Sequence, residues 1–484
     1  MNFDIEYKHR IEIKDFDGLL KELRAILGDK WVSTEEADLI AYSKDAQLIT
    51  NRWVMQKKVP GLPHIVTWPE NEEQISKIVK IANARKIPVI PFGEGSGVVG
   101  AAIPVYGGIM IDLKRLNKVI AVNDKDLTVT VQTGINGKVL ERILQEQGYL
   151  IGHVPQSMHT STVGGWIAHR GAGQFSTKYG KIEDIVLSMR IVMPDGSIVD
   201  TKLYPRAADG PQIERLFLGS EGTLGIITQA TLKIWPWPEK QLGLAYAFND
   251  LEHALEAIRL ILRQQVYPAV VRLYDKEETG RHFYNEPKAK DKLMIVFVCE
   301  GTARLVDFEA ATVRAEAEKQ GGIDCGQEPV RHWFETRFNV KETSIWTPKD
   351  AIFDTIEVSC MWKDAVSLYN NVMAEIKKVP GLALISAHAS HSYPQGVCFY
   401  FTFGGIGTDQ MTPEQFYQAA WDAAMTGTLK ANGSISHHHG IGIIRARWMA
   451  AEHGPVLELL RRIKHVIDPN NIMNPGKLYE EPEK

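Results

Sequence analysis

Cysteine is scarce in this chain: four residues in 484, and no Cys-x-x-Cys pair. That excludes a disulfide framework and points to a reducing compartment. No apolar run reaches the length needed to span a bilayer. The opening stretch MNFDIEYKHRIEIKDFDG has neither the apolar core of a secretion signal nor the Arg-rich pattern of a transit peptide, and the closing KLYEEPEK is not a peroxisomal tripeptide. A cytoplasmic location is the expectation, with peripheral membrane contact left open. Charge of neither sign is in excess: a net charge of −4 leaves no footprint for nucleic acid. Repeats and low-complexity tracts are absent as well.

What is present is an ordinary globular composition, 44% hydrophobic and 24% charged, on a chain too long for one core. Residues 1–57 read as a helical segment, with LLKELRAILG stopping at Gly28. Residues 58–238 alternate amphipathic helices (ENEEQISKIVKIANARK) with short strands (IPVIPF, IMIDL, LTVTVQTG, LGIITQATLKIW). Two Pro and two Trp crowd WPWPEK at 235–240, which marks a boundary. Residues 239–430 interleave strands such as AVVRLYD and GVCFYFTF with amphipathic helices. That pattern predicts an α+β domain with helices on one face of a sheet. Residues 431–484 carry SISHHHGIG and DPNNIMNPGKL.

PFGEGSGVVG at 91–100 contains Gly95-x-Gly97-x-x-Gly100, a superficial dinucleotide fingerprint. A true one opens a long helix. Here AAIPVYGGIMIDL follows, where Pro104 and Gly107-Gly108 forbid a helix. The glycines can still form a phosphate-binding nest of backbone N–H groups. PQSMHTSTVGGWIAHRGAGQ (155–174) and GSEGTLGIITQATLKI (219–234) are two more small-residue segments. Three such segments before one boundary suit an extended dinucleotide touched repeatedly by backbone groups.

The order PFGEGSGV, PQS…STVGGW, KYGKIEDIV, GSEGTLGIIT, DPNNIMNPGK resembles the FAD-binding domain of the vanillyl-alcohol oxidase / p-cresol methylhydroxylase superfamily over roughly residues 40–240 and 430–480. STVGGW, VVRLYD and SISHHHGIG resemble its alkylglycerone-phosphate synthase branch; D-lactate and D-2-hydroxyglutarate dehydrogenases share the domain. The resemblance implies an α+β fold: a two-part, non-Rossmann FAD domain, and a cap domain with an antiparallel sheet that holds substrate over the isoalloxazine. Non-covalent FAD is expected, since residues 91–100 contain no His or Cys. Carried over one residue at a time, Pro91, Gly93, Glu94, Gly95, Ser96, Gly97 and Val98 match the pyrophosphate loop. Gln156, Ser157, Ser161, Thr162, Gly165, Arg170 and Ala172 match the second FAD segment; Glu221, Gly222, Gly225, Ile227 and Asn474 complete the cofactor set.

Arg272 matches an active-site arginine, Arg337 is a second anion-binding candidate, and His438 and His439 match catalytic imidazoles. The resemblance puts Cys398 where the synthase branch has an acid/base tyrosine, with Tyr400 two residues on. It also implies a divalent metal held by His388, Cys398 and His438, with His391 and His437 close in sequence. The expected activity is oxidation of a hydroxylated, anionic small substrate of the 2-hydroxy-acid kind by hydride transfer to flavin N5, with a separate electron acceptor and a homodimeric assembly. The alternatives are the synthase's alkyl-for-acyl exchange and a non-catalytic FAD-bearing binding protein.

Overall fold

The computed structural model describes residues 10–56, 58–59, 61–339 and 351–479; residues 1–9 and 480–484 of the two terminal segments lie outside them. The predicted first helix spans Phe16–Leu27, buries Leu19, Leu23 and Leu27 at helical spacing, and ends on Gly28 at φ 84°. Two sheets follow. In the first, Ile65–Thr67, Ile109–Asp112 and Val89–Phe92 pair in parallel, and Val32–Ser33 adds antiparallel at the edge. The chain leaves Val89–Phe92 through residues 93–108 without a helix before Ile109–Asp112, so the dinucleotide-fold reading is rightly rejected. The second sheet is antiparallel, in the order Val119–Asn123, Thr128–Gln132, Ile226–Lys233, Val186–Val192, Ile198–Asp200.

Residues 240–339 and 351–406 build a seven-stranded antiparallel sheet ordered Ile323–Gly326, Lys240–Phe248, Leu293–Gly301, Val270–Tyr274, Leu382–Ser392, Gly396–Ile406, Ala351–Met361. Four long helices cover one face. Leu251–Arg263 shows why: Ala254, Leu255, Ile258, Ile261 and Leu262 recur on one side and are buried, and Asp250 caps the first turn through the His253 N–H. In Gly396–Ile406 the two-residue period sends Phe399, Phe401 and Phe403 into that helical layer. The opposite face packs Val270, Tyr274, Met294 and Val296 against Val154, Met158, Phe175 and Tyr179 of the first half, so the cleft lies between the halves.

Residues 472–474 return to the first half. Val89 donates to the Ile472 carbonyl and Asn474 to that of Val89, at 2.7 and 2.8 Å. No helix among the described residues is long and apolar enough to cross a membrane.

Candidate active site

The histidine loop is held by two buried carboxylates, one from each half. Glu357, on the Ala351–Met361 strand, accepts from the backbone N–H of His437 (2.7 Å), His438 (3.4 Å) and His439 (2.7 Å), and from Arg445 at 2.9 Å. Glu221 accepts from Ile441 at 2.6 Å and Gly442 at 2.9 Å. A Cβ on Gly440 would sit 2.4 Å from Glu221 Oε1 and one on Gly442 2.0 Å from the Val99 carbonyl, which explains both glycines. Lys181 Nζ donates to the His437 carbonyl at 2.6 Å. The three imidazoles are therefore placed by their own backbone.

Around that loop stand rings from the cap sheet. Tyr400 stacks on His388 (4.8 Å between centroids) and meets His439 edge-on at 5.4 Å. His439 Nδ1 has no hydrogen-bond partner and lies 3.6 Å from Glu357. Burial lowers the His439 pKa to about 4 and raises that of Tyr400 to about 12. The same desolvation puts His391, His437 and His438 well below the ordinary imidazole value, so all are neutral at pH 7.

His388 belongs to a relay. Its Nδ1 donates to Glu278 at 2.9 Å and its Nε2 accepts from Arg272 at 2.9 Å. Glu278 also accepts from Ser386 and Thr402. Desolvation opposes its charge, but His388 and Arg272 hold its pKa down at about 2. Arg337 is held differently: its guanidinium lies 4.7–5.3 Å from the rings of Phe175, Trp333, Phe334 and Phe338 and donates to the Gln174 side-chain oxygen at 3.3 Å. Desolvation lowers its pKa to about 10.

Two expectations need correction. The trio His388, Cys398 and His438 is not grouped. His388 is occupied by Glu278 and Arg272, and Cys398 is a fully buried thiol whose Sγ approaches the Phe399 carbonyl at 3.7 Å. Burial pushes the Cys398 pKa well above the ordinary thiol value, so it stays protonated and is a poor nucleophile or ligand. His391, His437 and His438 come together instead, each offering a ligand atom within 4.8 Å of the others. The cause is a bulge. His388 pairs with Tyr400, Ala389 with Phe399 and His391 with Cys398, so the four residues 388–391 oppose the three residues 398–400 and both histidines face the cleft. The second correction concerns the acid/base position: the ring packed among the imidazoles is Tyr400, and Cys398 is not.

The cofactor residues divide by what their atoms already do. Residues 93–98 are half-exposed, with Gly95 at φ 66°, and can offer a diphosphate a nest of backbone N–H groups; Lys114 Nζ beside them donates to the Gly93 carbonyl at 3.2 Å and pairs with Asp112 at 2.8 Å. Pro91 packs on Gly222, and Val98 packs against the cap core. Other side chains in the set are structural. Glu94 accepts from Asn136 at 2.9 Å, Arg170 pairs with Glu183 at 2.7 Å, and Ser161 accepts from Trp166 at 2.8 Å. Thr162 caps a short helix, Val163–His169, that the sequence did not disclose; it accepts from Gly165 at 3.3 Å. Gln156 donates to the Arg337 carbonyl at 2.6 Å, Gly225 packs on Ile191, and Ala172 and Ile227 are buried. Ser157 opens the one-turn helix Met158–Thr160. Asn474 ties the Ala101 and Glu221 carbonyls at 2.9 and 2.6 Å and lines a cavity of about 340 Å³ with Thr223, Lys464 and Lys477. These segments offer a cofactor mainly backbone and small surfaces. Sequence reasoning missed Glu278 and Glu357, because a lone acidic residue in a strand or helix has no local signature.

Residues 63–202 match the FAD binding domain family, and residues 238–478 match the C-terminal domain of FAD linked oxidases. The chain is 30% identical to alkyldihydroxyacetonephosphate synthase of Dictyostelium discoideum over 98% of its own length and 82% of the relative's. It is 27% identical to the mitochondrial D-lactate dehydrogenase [cytochrome] 1 of Saccharomyces cerevisiae over 96% and 80%. A solved alkyldihydroxyacetonephosphate synthase superposes with a TM-score of 0.81 at 28% identity, covering 97% of this chain and 87% of that one. The chain belongs to the FAD-linked oxidases, with the two-part fold of p-cresol methylhydroxylase. It is an FAD-dependent enzyme of that oxidase and dehydrogenase class.

Proposed function

We propose that the protein oxidises a small hydroxylated anion of the 2-hydroxy-acid class. The observation that carries this reading is His439: a neutral imidazole beside a buried carboxylate, in a cleft that also presents Arg272 and Arg337. With Nδ1 turned toward Glu357, Nε2 is left to take the hydroxyl proton, and the carboxylate stabilises the imidazolium that forms. The arginines hold the substrate's anionic group by charge-assisted hydrogen bonds. Bound FAD supplies the two-electron acceptor for the hydride. His439→Gln is expected to keep FAD and lose roughly 10²–10⁴-fold in the rate of flavin reduction; an unchanged rate would remove His439 as the base.

FAD is held without a covalent bond in this reading, supported by the lack of His or Cys at 91–100. Acid precipitation should leave the flavin in the supernatant; yellow pellets would contradict it. All four cysteines are unpaired, which supports a place in the reducing cytoplasm. A separate electron acceptor and a homodimer belong to the same proposal.

Tyr400 favours a second reading, the synthase's alkyl-for-acyl exchange, because a phenol does stand among the imidazoles. Turnover of acylated dihydroxyacetone phosphate without net flavin reduction would select it.

A further inference from the structure

We infer that His169 takes up a second proton when the bound flavin is reduced, and so raises the flavin's reduction potential. The first ground is an open acceptor. His169 closes the short helix Val163–His169, and its Nδ1 lies 3.1 Å from the Gly165 carbonyl oxygen. A carbonyl only accepts, so Nδ1 carries the hydrogen and the neutral ring keeps its lone pair on Nε2. That Nε2 is buried and has no hydrogen-bond partner among the described residues. A buried polar atom without a partner is costly, and a proton shared with a bound group removes the cost.

The second ground is place. A Cβ on Gly97 would sit 3.4 Å from His169 Nε2, and one on Gly440 3.2 Å from its Cδ2. The ring therefore stands between the glycine loop, whose backbone suits a diphosphate, and the histidine loop, where His439 meets the substrate hydroxyl. A dinucleotide whose diphosphate lies on the first and whose reacting ring serves the second has its flavin end at His169. The inference rests on the proposed function for the place of the substrate, and on the family for FAD.

Other titratable groups face the same space. Asp45 Oδ2 is 3.5 Å from the Gly97 position and Glu221 Oε1 2.4 Å from that of Gly440; His439 lies within electrostatic reach, and the charge of Lys477 acts on both carboxylates. His439 is committed to the substrate. Each carboxylate already uses both oxygens: Asp45 accepts from the Gln47 and Gly100 N–H at 3.0 and 2.8 Å, and Glu221 from those of Ile441 and Gly442 at 2.6 and 2.9 Å. A proton on either would displace a backbone donor, whereas His169 Nε2 takes one without breaking a bond. Burial pushes Asp45 up to about 7, which makes it the rival acceptor. Electrons and protons balance. A hydride brings the flavin two electrons and one proton and leaves one added negative charge. A second proton, drawn from solvent onto Nε2, cancels that charge, and the Nε2–H then donates to the cofactor.

The test is the midpoint potential of the intact flavoprotein, set by a chemical reductant against reference dyes with no substrate present. Each proton taken up with the two electrons changes the equilibrium about tenfold per pH unit, which is about 30 mV. From about pH 7 to 8 the parent is expected to shift by two protons, about 100-fold, and His169→Gln by one, about tenfold, with the variant's potential the lower at every pH. Should His169→Gln release its FAD, His169→Asn keeps a donor for the Gly165 carbonyl and serves in its place. Asp45→Asn should keep the parent's slope. A one-proton slope in the parent, a two-proton slope that survives in the His169 variants, or one that is lost in Asp45→Asn would each overturn the role. A two-proton slope that depends on His169, in a protein that oxidises no hydroxy acid, would uphold the role and overturn the proposed function instead.

Discussion

Arg272 and Arg337 both present a guanidinium to the cleft, yet their surroundings are opposite. Arg272 is braced by His388, which is braced by Glu278, so its direction is fixed and a carboxylate close by already balances part of its charge. Arg337 is ringed by four aromatic side chains and pairs with no carboxylate among the described residues; desolvation, opposed only in part by the charges of Glu300 and Glu141, brings its pKa to about 10. An anion gains most from the cation that is least compensated and least hydrated. The comparison teaches that two arginines in one cleft can divide the labour: Arg337 supplies attraction and Arg272 supplies direction.

Of the two arginines, Arg337 therefore carries the larger expected effect on binding. Arg337→Ala should raise KM for an anionic hydroxy acid by roughly 10- to 100-fold, the value of a charge-assisted bond of about 1.5–3 kcal/mol, with kcat nearly kept. Arg272→Ala should also leave FAD bound, raise KM by less, and lower kcat, because orientation is lost with charge. Equal losses in KM at both positions would erase the distinction. Arg272→Lys should rescue little, since a point charge does not reproduce the planar fork that meets His388. Steady-state kinetics on the three variants settle the order.

Glu278→Gln probes the relay at one remove. The amide keeps the size of the carboxylate and weakens its grip on His388 Nδ1, so Arg272 loses its brace while Arg337 is untouched. A several-fold fall in kcat/KM is expected, with no further fall in the Arg272→Ala background. An additive double variant would show that Glu278 acts by another route.

Much of this arrangement was legible in the sequence. Periodicity disclosed the helices that cover the cap sheet, and Pro104 with Gly107-Gly108 disclosed that no helix follows the glycine loop. Gly440 and Gly442 marked the histidine loop as tight, and the structure supplies the reason in Glu221 and Val99. What stayed hidden is register. A strand read with a strict period of two puts His388 and His391 on opposite faces; the bulge between Ala389 and His391 reverses that, and nothing in ISAHASHSY announces it. Glu357 and Glu278 were hidden for another reason. Each earns its role from residues at least 80 positions away, or from a partner 110 away, and spacing along the chain carries no such information.

The smallest expected effect is on stability. His388 in the cap and His153 in the FAD half are buried neutral, with pKa values lowered to about 4 and about 3, chiefly by desolvation. His388 faces Arg272, Glu278 and His282; His153 faces Lys181 and Glu183. Between those values and about 6.5 the unfolded chain binds more protons than the folded one. Stability is thus full above about pH 6.5 and falls as pH drops toward 4. Thermal melts of the flavoprotein should show a lower Tm at pH 5 than at pH 7, and His153→Phe, which buries no imidazole, should show a smaller difference. An identical pH dependence would put the acid sensitivity elsewhere.

The central claim is that this cleft removes a hydride from a hydroxylated anion. Anaerobic mixing of the oxidised flavoprotein with a panel of 2-hydroxy acids, followed by flavin absorbance, tests it most directly. The account predicts bleaching of the flavin by at least one member of the panel, no bleaching by the corresponding uncharged alcohol, and slowed bleaching in His439→Gln. A flavin that stays oxidised with every hydroxy acid, or that is reduced equally well by the uncharged alcohol, would contradict it.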